Sequence, residues 1–147
     1  MNGARDGLKG ELFVDVLKST GKARLVLTGS SMLPSIRAGD MVEVQCTNVQ
    51  EISKGDVVLC LRQGGFSAHR VVEKVPGPER TLLITRGDAL REPDPPVSPE
   101  ELLGRVTAVL RGGRRLSPSL TRRVRVASWL IARSEFCARV ARRLWRP

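Results

Sequence analysis

The chain has 147 residues, 41% of them hydrophobic and 27% charged, which suits one folded domain plus a tail and leaves little room for two full domains. A chain of this size can bury a core without help from disulfides or a structural metal. Its three cysteines (Cys46, Cys60 and Cys137) show no C-x-x-C spacing, so reduced thiols are expected and no metal site is indicated. The net charge of +10 lies at one end: residues 1–110 hold 14 Lys/Arg against 14 Asp/Glu, whereas residues 111–147 hold 11 Arg and a single acid, Glu135.

The N-terminus, MNGARDGLKGELF, lacks the long apolar run of a secretory leader, so no signal peptide is expected. Residues 8–19 predict a short amphipathic helix, with Leu8, Leu12, Phe13, Val16 and Leu17 at helical spacing and Gly21 as its stop. Six short apolar runs follow: 24–28, 41–46, 56–61, 66–75, 81–86 and 104–110. They are separated by Gly39-Asp40, Gly55-Asp56, Gly64-Gly65, Pro76-Gly77-Pro78 and Gly87-Asp88. Short strands punctuated by Gly and Pro turns predict a mainly β domain, a small coiled β-sheet or barrel. The proline-rich stretch 91–99 predicts a loop, and 111–118 (RGGRRLSP) a linker.

Residues 119–147 predict a basic amphipathic helix. Val126, Trp129, Leu130, Phe136, Cys137, Val140 and Leu144 share one side, and Arg139, Arg142, Arg143 and Arg146 the other. Arg133 interrupts the apolar stripe, where its long stem can snorkel. The longest charge-free run, 126–132, is far short of the ~20 residues that cross a bilayer, so no membrane span is expected. Such a helix suits an anionic membrane surface or an acidic partner, or it packs its apolar face on the body. Nucleic acid ranks last, because aromatics are only 3%, Tyr is absent and no helix-turn-helix precedes the β body. The domain reading is therefore an N-terminal helix (1–23), a β body (24–110), a linker (111–118) and a basic C-terminal helix (119–147), in a protein that is cytoplasmic or peripherally membrane-associated.

Three residue types in the body bear chemistry. Ser31 follows a strand-like run in the Gly-containing turn GSSMLPSIRAGD, where a tight bend exposes a hydroxyl and aims backbone N–H groups outward. In that turn Gly29 and Ser30 precede the serine, Met32 follows it, and Pro34 stiffens the exit. His69, the only histidine, sits in the strand-like AHRVV and is the natural proton acceptor near neutral pH. A carboxylate to orient an imidazole is offered twice in TRGDALREPDPP, by Asp88 and by Asp94. Each feature alone has an ordinary structural reading: a turn serine, a packed histidine, a turn or loop aspartate.

Taken together and in this order, the segments carry a resemblance. GSSMLPSIRAGD resembles the serine box of the signal peptidase I and LexA-like peptidase clan. KGDVV (54–58) resembles the strand that follows it there. AHRVV and LITRGDALREPD resemble the histidine box and Gly-Asp box of the endoplasmic-reticulum and archaeal signal peptidases, and GRVTAVL resembles their closing strand. The similarity covers roughly residues 24–110.

The resemblance implies a signal-peptidase type of β fold, with Ser31 as nucleophile, His69 as general base, Asp94 as the acid of the triad and Asp88 as structural support. It implies Gly29, Ser30, Met32 and Pro34 as oxyanion and turn support, with the backbone N–H of Ser31 as oxyanion donor. It also implies substrates with small residues before the cut. Lys54 and Lys74 do not stand at the base position. The chain departs from the family at Ser30, where many relatives have Gly, and at Gly29, where some have a serine. It also departs at Ala89-Leu90, where His-type relatives often have asparagines, and in showing no N-terminal anchor. The expectation is a cofactor-free serine endopeptidase that matures a peptide or protein precursor. Two other readings are a catalytically silent relative used as a binding module and a membrane-surface adaptor working through the tail.

Overall fold

A computed structural model describes residues 2–62, 65–119, 126, 129 and 130, with the backbone alone for residues 2–9. The fold is mainly β. A helix, α1 (Asn2–Thr20), precedes strands β1 (Lys22–Val26), β2 (Met41–Gln45), β3 (Val57–Arg62), β4 (Gly65–Val75), β5 (Leu82–Arg86), β6 (Leu102–Arg111) and β7 (Arg114–Leu116). All pair antiparallel in one open sheet of order β1-β2-β6-β3-β4-β5, with β7 hydrogen-bonded to β6. The sheet does not close into a barrel, since β1 and β5 pair on one side only among the described residues.

The six sequence runs coincide with β1 to β6 to within two residues at either end. The seventh strand was hidden in the segment read as a linker. Arg111 belongs to β6, and Gly112 and Gly113, both with positive φ, turn the chain so that Arg114–Leu116 pairs back on Val109–Arg111. Three residues carrying two arginines have too little apolar pattern to announce a strand, and the Gly-Gly turn was the only signal.

Alternation explains why two cores form. In β2 the pattern MVEVQ buries Val42 and Val44 and leaves the residues between them toward solvent. β3 instead buries four consecutive residues, because both its faces are covered. Val57 and Leu59 join Phe13, Leu17, Met32, Ile36, Val42, Val44, Ala68, Val106 and Val109 on one face. Val58 and Cys60 join Val49, Ile52, Val71, Leu83 and Val97 on the other. Gly104 permits the close crossing of β2 and β6, since a Cβ there would collide with the carbonyl of Gln45.

α1 covers the first core through a narrower face than its sequence predicted. Phe13 and Leu17 are buried and the Phe13 ring meets Phe66 edge-on at 5.2 Å, whereas Leu12 and Val16 are exposed. Burying each of the first two stabilises the fold by about 1.5–3 kcal/mol. Gly21, at φ +73°, stops the helix and its N–H returns to the carbonyl of Leu17. The predicted basic helix 119–147 lies outside the described residues apart from Ser119, which is in a bend, and Val126, Trp129 and Leu130, which are helical and exposed. Among the described residues no helix is long and apolar enough to cross a membrane.

Candidate active site

The serine turn is built from the first core outward. After β1 the chain runs on to a compact turn over residues 31–36, and Met32, Leu33 and Ile36 bury their side chains beneath it. Met32 therefore supports the turn as an anchor in the core. The Leu33-Pro34 peptide is cis, Ile36 N–H donates to the carbonyl of Met32 at 3.0 Å, and Ser35 Oγ lies 2.8 Å from the same carbonyl. Gly39 (φ +90°) and Asp40 return the chain to β2: Gly39 N–H donates to Leu27 O, and Leu27 N–H donates to Asp40 O. Gly29 and Ser30 precede the turn on the exposed surface, and a Cβ at Gly29 would meet no atom within 4 Å. With its buried residues fixed from below, the turn presents Ser31 upward.

His69 comes from the middle of β4. Its Nε2 lies 2.9 Å from Ser31 Oγ, and its Nδ1 lies 2.6 Å from Asp94 Oδ2. Three residues separated by 38 and 25 positions in sequence thus form one continuous hydrogen-bonded chain. The side chains of His69 and Asp94 retain 13% and 21% of their exposure, so the group is sheltered and still reachable.

The two candidate carboxylates separate cleanly. Asp94 faces the imidazole. Its backbone N–H donates to Thr85 O at 2.7 Å, and Thr85 Oγ1 donates to Oδ2 at 2.6 Å. The following prolines do not form a free loop. Arg62 donates to the carbonyls of Pro95 and Pro96 at 2.6 and 2.7 Å, and Val97 bridges to Leu83 by two backbone hydrogen bonds.

Asp88 lies on the opposite face, in a bidentate ion pair with Arg70 at 2.8 Å for both bonds, and it also accepts from the hydroxyl of Ser35. Arg70 spends its remaining nitrogen on the carbonyls of Gly55 and Pro118. This pair is almost fully closed to water, at 6% and 4% exposure.

The Gly-Asp turn also touches the backbone of Ser31. Ala89 N–H donates to the carbonyl of Ser31 at 2.9 Å, and a Cβ on Gly87 would lie 2.6 Å from that oxygen. Glycine at 87 is a requirement of this close approach.

Other reactive groups lie elsewhere. Lys74 donates to the carbonyls of Gln50 and Ile52, and Lys54 is exposed in the turn before β3. Burial pushes the Cys60 thiol up to about 12, with the nearby charges of Glu101 and Asp94 adding to the effect and Arg62 opposing it, so that thiol stays protonated.

Sequence reasoning missed Thr85, Ser35 and Arg70. For Thr85 the signal lies in pairing, since it stands opposite Val71 in the β4–β5 register, on the face His69 shares. No protein-family model and no curated protein matches the chain.

Proposed function

We propose that the protein is a serine endopeptidase of the signal-peptidase-like type, acting on a peptide or protein precursor. The observation that carries this reading is the hydrogen-bonded chain Ser31–His69–Asp94 at 2.9 and 2.6 Å. Ser31 Oγ attacks the scissile carbonyl while His69 Nε2 takes its proton. Asp94 accepts the Nδ1–H bond and stabilises the imidazolium that forms. The tetrahedral oxyanion is met by backbone N–H at the serine turn. His69 then returns the proton to the leaving amine, and an acyl ester remains on Ser31. Water, deprotonated by His69, attacks that ester and frees the enzyme. The resemblance of the serine, histidine and Gly-Asp segments to signal peptidases supports a substrate with small side chains before the cut, and it supports the same fold type for the open sheet.

The test is cleavage of a peptide library followed by mass spectrometry, with wild type beside Ser31→Ala. New termini from wild type alone, falling to background in the variant by about 10³-fold or more, are the expected result. Equal cleavage by both proteins refutes Ser31 as nucleophile. No cleavage by either folded protein moves the reading to a silent binding module.

A further inference from the structure

We propose that Thr85 is a fourth functional member of the site, a positioning residue that fixes the Asp94 carboxylate and through it the tautomer of His69. The inference rests on the peptidase reading above and deepens it.

Thr85 is 3% exposed, so its hydroxyl must find a partner inside the protein or carry the cost of an unpaired buried polar group. The partner is Asp94 Oδ2, the oxygen that also faces His69 Nδ1, and both distances are 2.6 Å. A carboxylate oxygen has two lone pairs, and here one meets a hydroxyl and the other an imidazole nitrogen.

Two consequences follow from this sharing. First, Oδ2 acts only as an acceptor, so the proton between Asp94 and His69 belongs on Nδ1. In the neutral ring that leaves Nε2 without a proton and facing Ser31 Oγ, the form a general base needs. Second, the hydroxyl selects which carboxylate oxygen faces the ring. Rotation about the last bond of Asp94 would break both contacts together.

The backbone reinforces the choice, because Asp94 N–H is itself bonded to Thr85 O at 2.7 Å. Residue 94 is therefore held to residue 85 at both its main chain and its side chain. Serine and threonine alone supply a hydroxyl at this reach from a strand, and threonine also suits the pleated surface of β5.

His69 is the only histidine in the chain, which makes the test unambiguous. The protein is labelled with ¹⁵N-histidine, and the hydrogen-bonded Nδ1–H proton is observed in the far-downfield region. Wild type, Thr85→Val, Thr85→Ser and Asp94→Asn are compared, with the amide spectrum reporting the fold of each. Val keeps the shape and removes the hydroxyl, and Ser keeps the hydroxyl.

The expected result is a slowly exchanging Nδ1–H signal in wild type and Thr85→Ser, and its loss by exchange in Thr85→Val, as in Asp94→Asn. On a peptide that wild type cleaves, Thr85→Val lowers kcat about 10- to 100-fold with KM unchanged, and Thr85→Ser restores it. An undiminished signal in Thr85→Val overturns the proposal, as does loss of the signal in Thr85→Ser despite its hydroxyl. If wild type cleaves no peptide, the peptidase reading fails, and the Nδ1–H signal alone still decides whether Thr85 sets the tautomer.

Discussion

His69 and Arg70 are neighbours in β4, and each is bonded to an aspartate from the segment that follows β5. Pleating sends their side chains to opposite faces, and the two pairs differ in nearly everything else. His69–Asp94 keeps part of its exposure and ends on a serine hydroxyl. Arg70–Asp88 is closed to water, and its spare donors end on the carbonyls of Gly55 and Pro118. A pair that terminates on a hydroxyl at the surface can pass a proton along. A pair that terminates on main-chain carbonyls ties distant turns together. The difference shows how one strand supplies a partly exposed hydrogen-bonded chain and its buried frame from consecutive residues.

Substituting the two aspartates separates these roles. Asp94→Asn preserves size and removes the anion, so under the proposed peptidase function cleavage falls by about 10⁴-fold while resistance to urea changes little. Asp88→Asn leaves the Arg70 guanidinium buried beside a neutral partner and costs about 3–5 kcal/mol of stability. Urea denaturation and cleavage rates measured on both variants check the contrast. If Asp94→Asn loses as much stability as Asp88→Asn, the division into reacting pair and frame does not hold.

The frame reaches Ser31 through the Gly-Asp turn, and Gly87→Ala sharpens that point. The added methyl group would meet the Ser31 carbonyl at 2.6 Å and the Leu90 side chain at 2.9 Å. Leu90 can give way; a backbone carbonyl bonded to Ala89 N–H cannot do so without moving Ser31. The expected outcome is a folded protein whose kcat drops about 10- to 100-fold, because a shift of that size misaligns the attacking oxygen. A fully active Gly87→Ala would show that the 87–90 turn does not set the position of Ser31.

Much of this arrangement is legible in the sequence. The six apolar runs became β1 to β6 because alternation and Gly/Pro turns are local signals. The serine, histidine and aspartate candidates stood out by type and by order. Residue type and spacing leave open which aspartate meets His69, and only the resemblance points to Asp94. Asp88 and Asp94 are six residues apart in one turn-rich stretch, and only the register of β4 on β5, with the clamp of Arg62 on Pro95 and Pro96, puts Asp94 at the ring. The same register conceals Thr85, an unremarkable strand residue until its neighbour across the sheet is known. The buried face of α1 was over-read for a related reason. Leu12 and Val16 fit the helical period, but they stay exposed while Phe13 and Leu17 are buried and Val14 packs partly against the same core.

The smallest expected effect concerns the far end of the serine turn, where Asp40 joins the frame. Its carboxylate accepts from Arg111 Nε at 2.8 Å and from the backbone N–H of Arg37 at 2.8 Å. Burial by itself pushes this carboxyl upward. The Arg111 hydrogen bond, the Arg37 N–H and the charges of both arginines outweigh it, so the group is held below the ordinary carboxylate range. A carboxyl that is more acidic when folded contributes stability above its unfolded value, near ~3.9, and loses that contribution as pH falls through its folded value. Asp40→Asn should therefore be less stable than wild type at pH 7 by about 2 kcal/mol. That gap should shrink as pH drops below about 4, where wild type loses the same interaction by protonation. Thermal unfolding of both proteins between neutral pH and the acid limb measures this convergence. A gap that stays constant with pH would mean that Asp40 supports the turn through its shape and its hydrogen bonds, with its charge contributing nothing.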